Sequence, residues 1–138
     1  MPTFRPFTKD KKNLYHDSIV NTGVGLDLIG GYYDEGNNIK FNFPQEATVA
    51  FLTWSGMDFA KRYKKENKYK ILLDLVKWAT NYFTRGHPEK DVLFVQVGDG
   101  ILDHGHWFPP EYIDYKFPSL KIDEENHDSK VAGKTAAS

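Results

Sequence analysis

The run Ile71-Leu72-Leu73-Asp74-Leu75-Val76-Lys77-Trp78-Ala79-Thr80-Asn81-Tyr82-Phe83 carries the strongest periodic signal in the chain. Ile71, Leu72, Leu75, Ala79, Tyr82 and Phe83 recur at steps of three and four, so they share one face of an α-helix. Gly86 and Pro88 supply the stop, which predicts a helix over 70–85. Upstream, Pro44 suits the first position of a helix, where its missing N–H would be unpaired anyway. Ala47, Ala50, Phe51, Trp54 and Met57 follow at the same spacing and predict a helix over 44–66 with one apolar face. A join near Glu66-Asn67 would let the two helices pack as an antiparallel pair.

Outside this pair the chain is less regular. Residues 21–44 hold Gly23, Gly25, Gly30, Gly31 and Gly36 among Asn and Asp, which reads as loops and tight turns. Asp91 to Val97 is short and β-branched and reads as a brief strand. Gly98 to about Asp128 shows little periodicity and is expected to be largely irregular, although its aromatic residues argue against disorder. The small residues of Val131 to Ser138 resemble the opening of a buried helix that then stops with no cap and no partner.

At 138 residues the chain fits a single domain, 1–138. Eighteen basic against 19 acidic residues give a net charge of -1, which excludes a global basic field for nucleic acid. The run Lys61 to Lys70 is basic, and its preferred reading is a solvated helix end where cations meet the negative end of the helix dipole. No stretch of 18 apolar residues exists, so no membrane-spanning segment is expected. The absence of cysteine excludes disulfides, thiolate metal sites and a cysteine nucleophile. No signal-peptide pattern opens the chain. The unusual feature is aromatic content, with 3 Trp, 8 Tyr and 10 Phe.

Two segments hold candidate chemistry. Gly30-Gly31-Tyr32-Tyr33-Asp34-Glu35-Gly36-Asn37-Asn38-Ile39-Lys40-Phe41 sets an acidic residue between glycines, where backbone can approach a ligand closely. Its spacing is neither GxGxxG nor GxxxxGK[ST]. Gln96-Val97-Gly98-Asp99-Gly100-Ile101-Leu102-Asp103-His104-Gly105-His106-Trp107 offers Asp99, Asp103, His104 and His106 as oxygen and nitrogen donors. That spacing matches no helical His-x-x-x-His motif, and polar loop residues beside an aromatic are the preferred reading over a metal site.

Taken together, the two segments resemble glycoside hydrolase family 9, the inverting endoglucanases and related cellulases. The family's Gly-Leu-Asp-Leu-x-Gly-Gly run and its following Tyr-Asp-Ala-Gly-Asp-His-Val-Lys-Phe block are matched from Gly25 to Phe41. Phe43-Pro44, Lys77-Trp78-Ala79-Thr80-Asn81-Tyr82-Phe83, His87-Pro88 and Gln96 to Glu111 match further family motifs in order. Lys121-Ile122-Asp123 and the Ala-Gly-x-Thr-Ala-Ala ending also have counterparts, so the resemblance runs from about Asp17 to Ser138. It implies an all-α fold, the first few helices of an (α/α)6 barrel of the six-hairpin glycosidase type, with long irregular loops. It also implies a β-1,4-glucan substrate such as cellulose, no cofactor, no metal, and a secreted location.

By the same resemblance, Asp34 matches the aspartate that helps hold the attacking water, and Asn37 occupies the position of the catalytic base. An amide can position water but cannot take its proton at neutral pH. Asn38 replaces the family's following histidine, and Lys134 replaces an acidic residue. The family's acid, a glutamate near its C-terminus, has no match in this chain. His104 and Trp107 match residues that contact glucosyl units: an indole can stack under the apolar face of a sugar, and an imidazole N–H can donate to a hydroxyl. The expectation is an N-terminal part of a cellulase-type endo-1,4-β-glucanase, inactive alone. The competing reading is a non-catalytic β-glucan-binding or interaction protein of the same ancestry. In either case the apolar stripes of Trp54, Leu72, Leu75, Trp78 and Phe83 are expected to lack part of their cover.

Overall fold

A computed structural model describes residues 26–105, 113, 115 and 117–138. In chain order the elements are β1 (Lys40–Phe41), α1 (Asn42–Asp58), α2 (Ala60–Lys65), α3 (Tyr69–Arg85), β2 (Leu93–Val97), α4 (Gly100–His104), β3 (Ser119–Ile122) and α5 (Ser129–Ala137). Helix dominates, as the periodicity predicts.

The helix predicted over 44–66 is two helices. It opens at Asn42, directly off β1, with Phe41 in extended backbone as its cap. Pro44 is therefore its third residue and not its first. The Asn42 side chain does not cap the helix but binds tertiary partners: Nδ2 donates to the Phe94 carbonyl at 2.8 Å, and Oδ1 accepts from the Tyr82 hydroxyl at 3.0 Å. The break falls at Phe59, whose φ of -109° and ψ of 22° leave the helical region. Periodicity reports which side chains share a face, and a one-residue kink leaves that pattern almost unchanged.

The turn into α3 is made at Asn67, in the left-handed region at φ 55°, where Asn is among the tolerated residues. The basic run ends α2 in solvent, with Arg62, Lys64 and Lys65 in its last turn. Its ion pairs, Arg62 to Glu66 and Lys70 to Asp74, are exposed and contribute little. α1 and α3 approach closely at Gly56, where an added Cβ would lie 2.7 Å from Leu72 Cδ2.

The core gathers Leu28, Val49, Ala79, Tyr82, Phe83, Phe94, Val97, Ile113 and Phe117. α3 supplies the face read from the sequence through Leu72, Ala79, Tyr82 and Phe83, while Ile71, read as part of that face, is 46% exposed. α1 does not supply the face read for it. Its buried residues are Asn42, Gln45, Glu46, Val49 and Gly56, while Phe51, Trp54 and Met57 stand 68%, 59% and 68% exposed. Trp54 thus lacks cover, as expected, whereas Leu72 and Phe83 are buried and Leu75 and Trp78 half-buried.

The described residues of 98–128 include α4 and β3, which are too short to register as a period in the sequence. β2 is the middle strand of a small antiparallel sheet, order β1-β2-β3, with Lys40 opposite Val97 and Phe41 opposite Gln96. The C-terminal run is a capped helix: the Asp128 carboxylate accepts from the Lys130 and Val131 amides. None of its residues is buried, yet it has a partner, because the Thr135 hydroxyl donates to Glu46 of α1. A buried lysine ties the preceding strap to this frame. Lys40 Nζ donates to the Leu28 carbonyl at 3.1 Å and lies over the rings of Tyr33 and Tyr82.

Candidate functional site

The β1–β2 register carries the two chemistry-bearing segments to one place. Just before β1 lies the Asp34–Asn38 loop, and just after β2 lies Gly98, followed by α4. Gly98 has φ 105°, and a Cβ there would meet Ile39 Cγ1 at 3.2 Å and the Asn38 carbonyl at 3.3 Å. Only glycine lets these chains meet so closely.

The loop itself is a tight turn. The Asn37 amide donates to the Asp34 carbonyl at 3.2 Å, and Gly36 supplies the positive φ, 74°, at the turn's third position. The Asp34 amide closes the loop onto the Ile39 carbonyl at 2.9 Å. This fold-back places the Asn37 side chain beside Asp34, with Nδ2 3.4 Å from Asp34 Oδ2. The other end of the same amide, Oδ1, lies 2.9 Å from His104 Nε2. A carboxylate can only accept, so Nδ2 faces Asp34 and Oδ1 faces the histidine. His104 therefore holds its proton on Nε2 and donates it. Asp34 and His104 are exposed, and Asn37 is half-buried between them.

One residue along, a second clamp joins the same segments. Asp103 is buried, and its Oδ1 accepts from the Asn38 backbone amide at 3.2 Å, from Asn38 Nδ2 at 3.0 Å and from the Tyr115 hydroxyl at 2.7 Å. Burial raises the Tyr115 phenol well above its ordinary pKa, and the Asp103 hydrogen bond and charge add to the shift. Asp99 caps α4, its Oδ1 accepting from Ile101 and Leu102 amides at 2.8 and 2.9 Å. Asp99 and Asp103, candidate metal donors in the sequence, are thus engaged in holding the local fold. Among the described residues no three His, Cys, Asp or Glu side chains converge to hold a metal ion.

The structure therefore brings together Asp34, Asn37 and His104. Trp107, like His106, lies outside the described residues. Sequence reasoning missed the role of Asp103. The signal was available in the adjacent Asp103-His104 pair facing the adjacent Asn37-Asn38 pair, but only the β1–β2 register sets one pair opposite the other. Among the described residues no helix is long and apolar enough to cross a membrane.

Comparison with known proteins adds a family. The model for "Glycosyl hydrolase family 9" matches residues 5–138. Endoglucanase 15 of Oryza sativa subsp. japonica is 41% identical over 113 residues, which is 82% of this chain and 18% of the rice protein. Among solved structures, the endoglucanase of the termite Nasutitermes takasagoensis superposes with a TM-score of 0.80 at 30% identity, covering 95% of this chain and 36% of that one. The cellulase Cel9M of C. cellulolyticum, solved in complex with cellobiose, gives 0.78 at 30% identity, covering 94% of this chain and 37% of its own. The chain thus spans about a fifth of the length of the rice relative it matches.

Proposed function

The chain belongs to glycosyl hydrolase family 9, its helices forming part of that family's (α/α)6 barrel, and from this premise we propose that the Asp34–Asn37–His104 surface is one side of an endo-1,4-β-glucanase cleft that binds β-1,4-glucan. The observation that carries the reading is the hydrogen-bonded chain from His104 through Asn37 to Asp34. It presents a carboxylate, an amide and an imidazole on an exposed face, the donor and acceptor mix that sugar hydroxyls require. The cellobiose bound by Cel9M supports this ligand class.

Inversion requires a carboxylate to deprotonate the attacking water and a carboxylic acid, about 6.5–9.5 Å away, to protonate the leaving oxygen. Asn37 stands at the base position and has no proton-accepting carboxylate. Its amide instead keeps Asp34 and His104 in register. In the 138-residue chain the reading is therefore binding without hydrolysis, with the glucan met outside the cell. Titrating the chain with cellotetraose by NMR tests it: the His104 ring and Asn37 side-chain signals should shift. Unchanged signals at millimolar ligand would remove the site.

A further inference from the structure

Two surfaces outside the Asp34 face match each other in polarity and oppose each other in charge. The first is the tip where α2 turns into α3. Phe59, at the break between α1 and α2, is 60% exposed. Just beyond it, Lys61 to Lys70 holds six basic side chains and one acidic, Glu66. Arg62 pairs with Glu66, Lys70 pairs with Asp74, and Lys64 lies over the Tyr69 ring. Lys61, Lys65 and Lys68 are exposed and have no carboxylate partner among the described residues. The tip thus offers an apolar knob beside cations that nothing neutralises.

The second is a cavity of about 960 Å³ between α3 and α5. Phe83, Val92, Leu93 and Ile122 give it apolar walls, and Asp91, Asp123, Glu124 and Asp128 add carboxylates. Lys90 pairs with Asp91 and Lys121 with Asp123, which leaves Glu124 and Asp128 without a cationic partner among the described residues. The Lys121 ammonium is held above its ordinary pKa, first by the hydrogen bond and charge of Asp123 and then by the charges of Glu89 and Glu125. A cation is therefore favoured beside this cavity.

One copy cannot bring the two together. The tip precedes α3, whereas Thr80, Phe83 and Thr84 of its second half line the cavity. α3 has 17 residues, so it is about 25 Å long and holds tip and cavity apart. A second copy supplies what the first cannot reach. With a net charge of -1, two copies meet without long-range repulsion. We infer that the chain associates head to tail, with Phe59 and the lysines of the tip of one copy seated in the α3–α5 cavity of the next. Tip and cavity are different surfaces, so the contact is heterologous. Each pair leaves one tip and one cavity free, and assembly continues past the dimer into rings or open chains. Neither surface includes Asp34, Asn37 or His104, so the inference stands apart from the glucan reading.

Sedimentation velocity over a range of protein concentrations would read the assembly for the wild-type chain, for Lys61→Glu with Lys65→Glu, and for Glu124→Lys with Glu125→Lys. All four side chains are exposed, so the reversals leave the core untouched. In about 0.01 M salt, where the Debye length is about 30 Å, the wild-type sedimentation coefficient is expected to rise with concentration. In about 1 M salt, where that length is about 3 Å, it should fall back toward the monomer value. Each double reversal alone is expected to stay monomeric in low salt. A mixture of the two should associate again, because each reversed surface then meets an opposite charge. Wild type that stays monomeric in low salt would overturn the inference. Association no weaker in high salt would overturn it too, and would point to the apolar stripe of α1 meeting itself. So would a reversal that leaves association intact, or a mixture that stays monomeric. The wild-type salt series decides the matter even if a variant fails to fold.

Discussion

Asn37 Oδ1 and His104 Nε2 lie 2.9 Å apart although 67 residues separate them in the chain. Their neighbours Asn38 and Asp103 are joined in the same way, so two consecutive residues of the loop are clipped to two consecutive residues of α4. The outer clip faces solvent. The inner clip is half-buried, closed on the buried Asp103, and holds the outer one in place. That division of labour leads to separable consequences for mutation.

Asp103→Ala should be among the most destabilising single changes in the chain. It strands two donors of Asn38 and the Tyr115 hydroxyl in a half-buried setting. A loss of about 2–4 kcal/mol is expected, since hydrogen bonds to a charged group contribute more than neutral ones. Tyr115→Phe removes one of these bonds and should cost about 1 kcal/mol. Urea denaturation monitored by far-UV circular dichroism would rank the two; equal midpoints for Asp103→Ala and wild type would contradict the inner clip.

Gly31→Ala tests the strap that leads into the loop. Gly31 has φ 67°, and a Cβ there would sit 2.7 Å from Gln45 Oε1 and from Tyr82 Cδ1. Both the backbone strain and the overlap oppose the change, so about 2 kcal/mol or more should be lost. Gly36→Ala, where an added Cβ meets nothing within 4 Å, should cost less despite its φ of 74°. Thermal melts of the two variants would show the order, and a more severe effect at Gly36 would refute the packing argument.

Glu46 gives a pH dependence. Burial raises its pKa above the ordinary 4.5, outweighing the hydrogen bonds from Thr135 and Asn42 and the charge of Lys134, which lower it. The folded state therefore binds the proton more tightly than the unfolded chain. This contribution to stability is fully present below pH 4.5 and is lost as pH rises through the raised value. Asp123 behaves oppositely. The Lys121 hydrogen bond, with those of Asn126, lowers its pKa to about 2, so its contribution holds above the ordinary 3.8 and is lost as pH falls through about 2. Glu46→Gln should flatten the decline on the neutral side, measured as melting temperature from pH 4 to 8. A wild-type profile unchanged by this substitution would exclude Glu46 as its source.

The two faces of the helices should respond differently to truncation. Leu72→Ala, in the buried contact with Gly56, should cost about 2–5 kcal/mol. Phe51→Ala and Met57→Ala, on the exposed stripe of α1, should each change stability by about 0.5 kcal/mol or less in this chain. Chemical denaturation of the three variants measures this contrast. A large loss at Phe51 would mean that the stripe is covered in solution.

How much of this was legible in the sequence depended on length and on partners. α3 was legible because 17 residues repeat one apolar face, of which Leu72, Ala79, Tyr82 and Phe83 are buried in the core and Ile71 at its start is not. α1 was legible as a helix but not in orientation. Its period marks Phe51, Trp54 and Met57 as one stripe, and nothing local says whether a neighbour covers it. α4 and β3 were invisible, since five and four residues give no period. At the site, motif resemblance singled out Asp34, Asn37 and His104. The contact between them needed the β1–β2 register, and the buried role of Asp103 needed three-dimensional neighbours that no spacing rule encodes.

The most direct test of the central claim pairs binding with turnover on the purified 138-residue chain. Cellotetraose binding would be followed at His104 and Asn37 by NMR while reducing-sugar release is assayed on the same sample, for wild type and for Asp34→Ala. The account predicts saturable binding by wild type, weakened binding by Asp34→Ala, and no sugar release above background from either, because Asn37 cannot serve as the general base that contributes roughly 10²–10⁴-fold. Sugar release by wild type that Asp34→Ala abolishes would contradict it and place proton transfer on a residue other than Asn37.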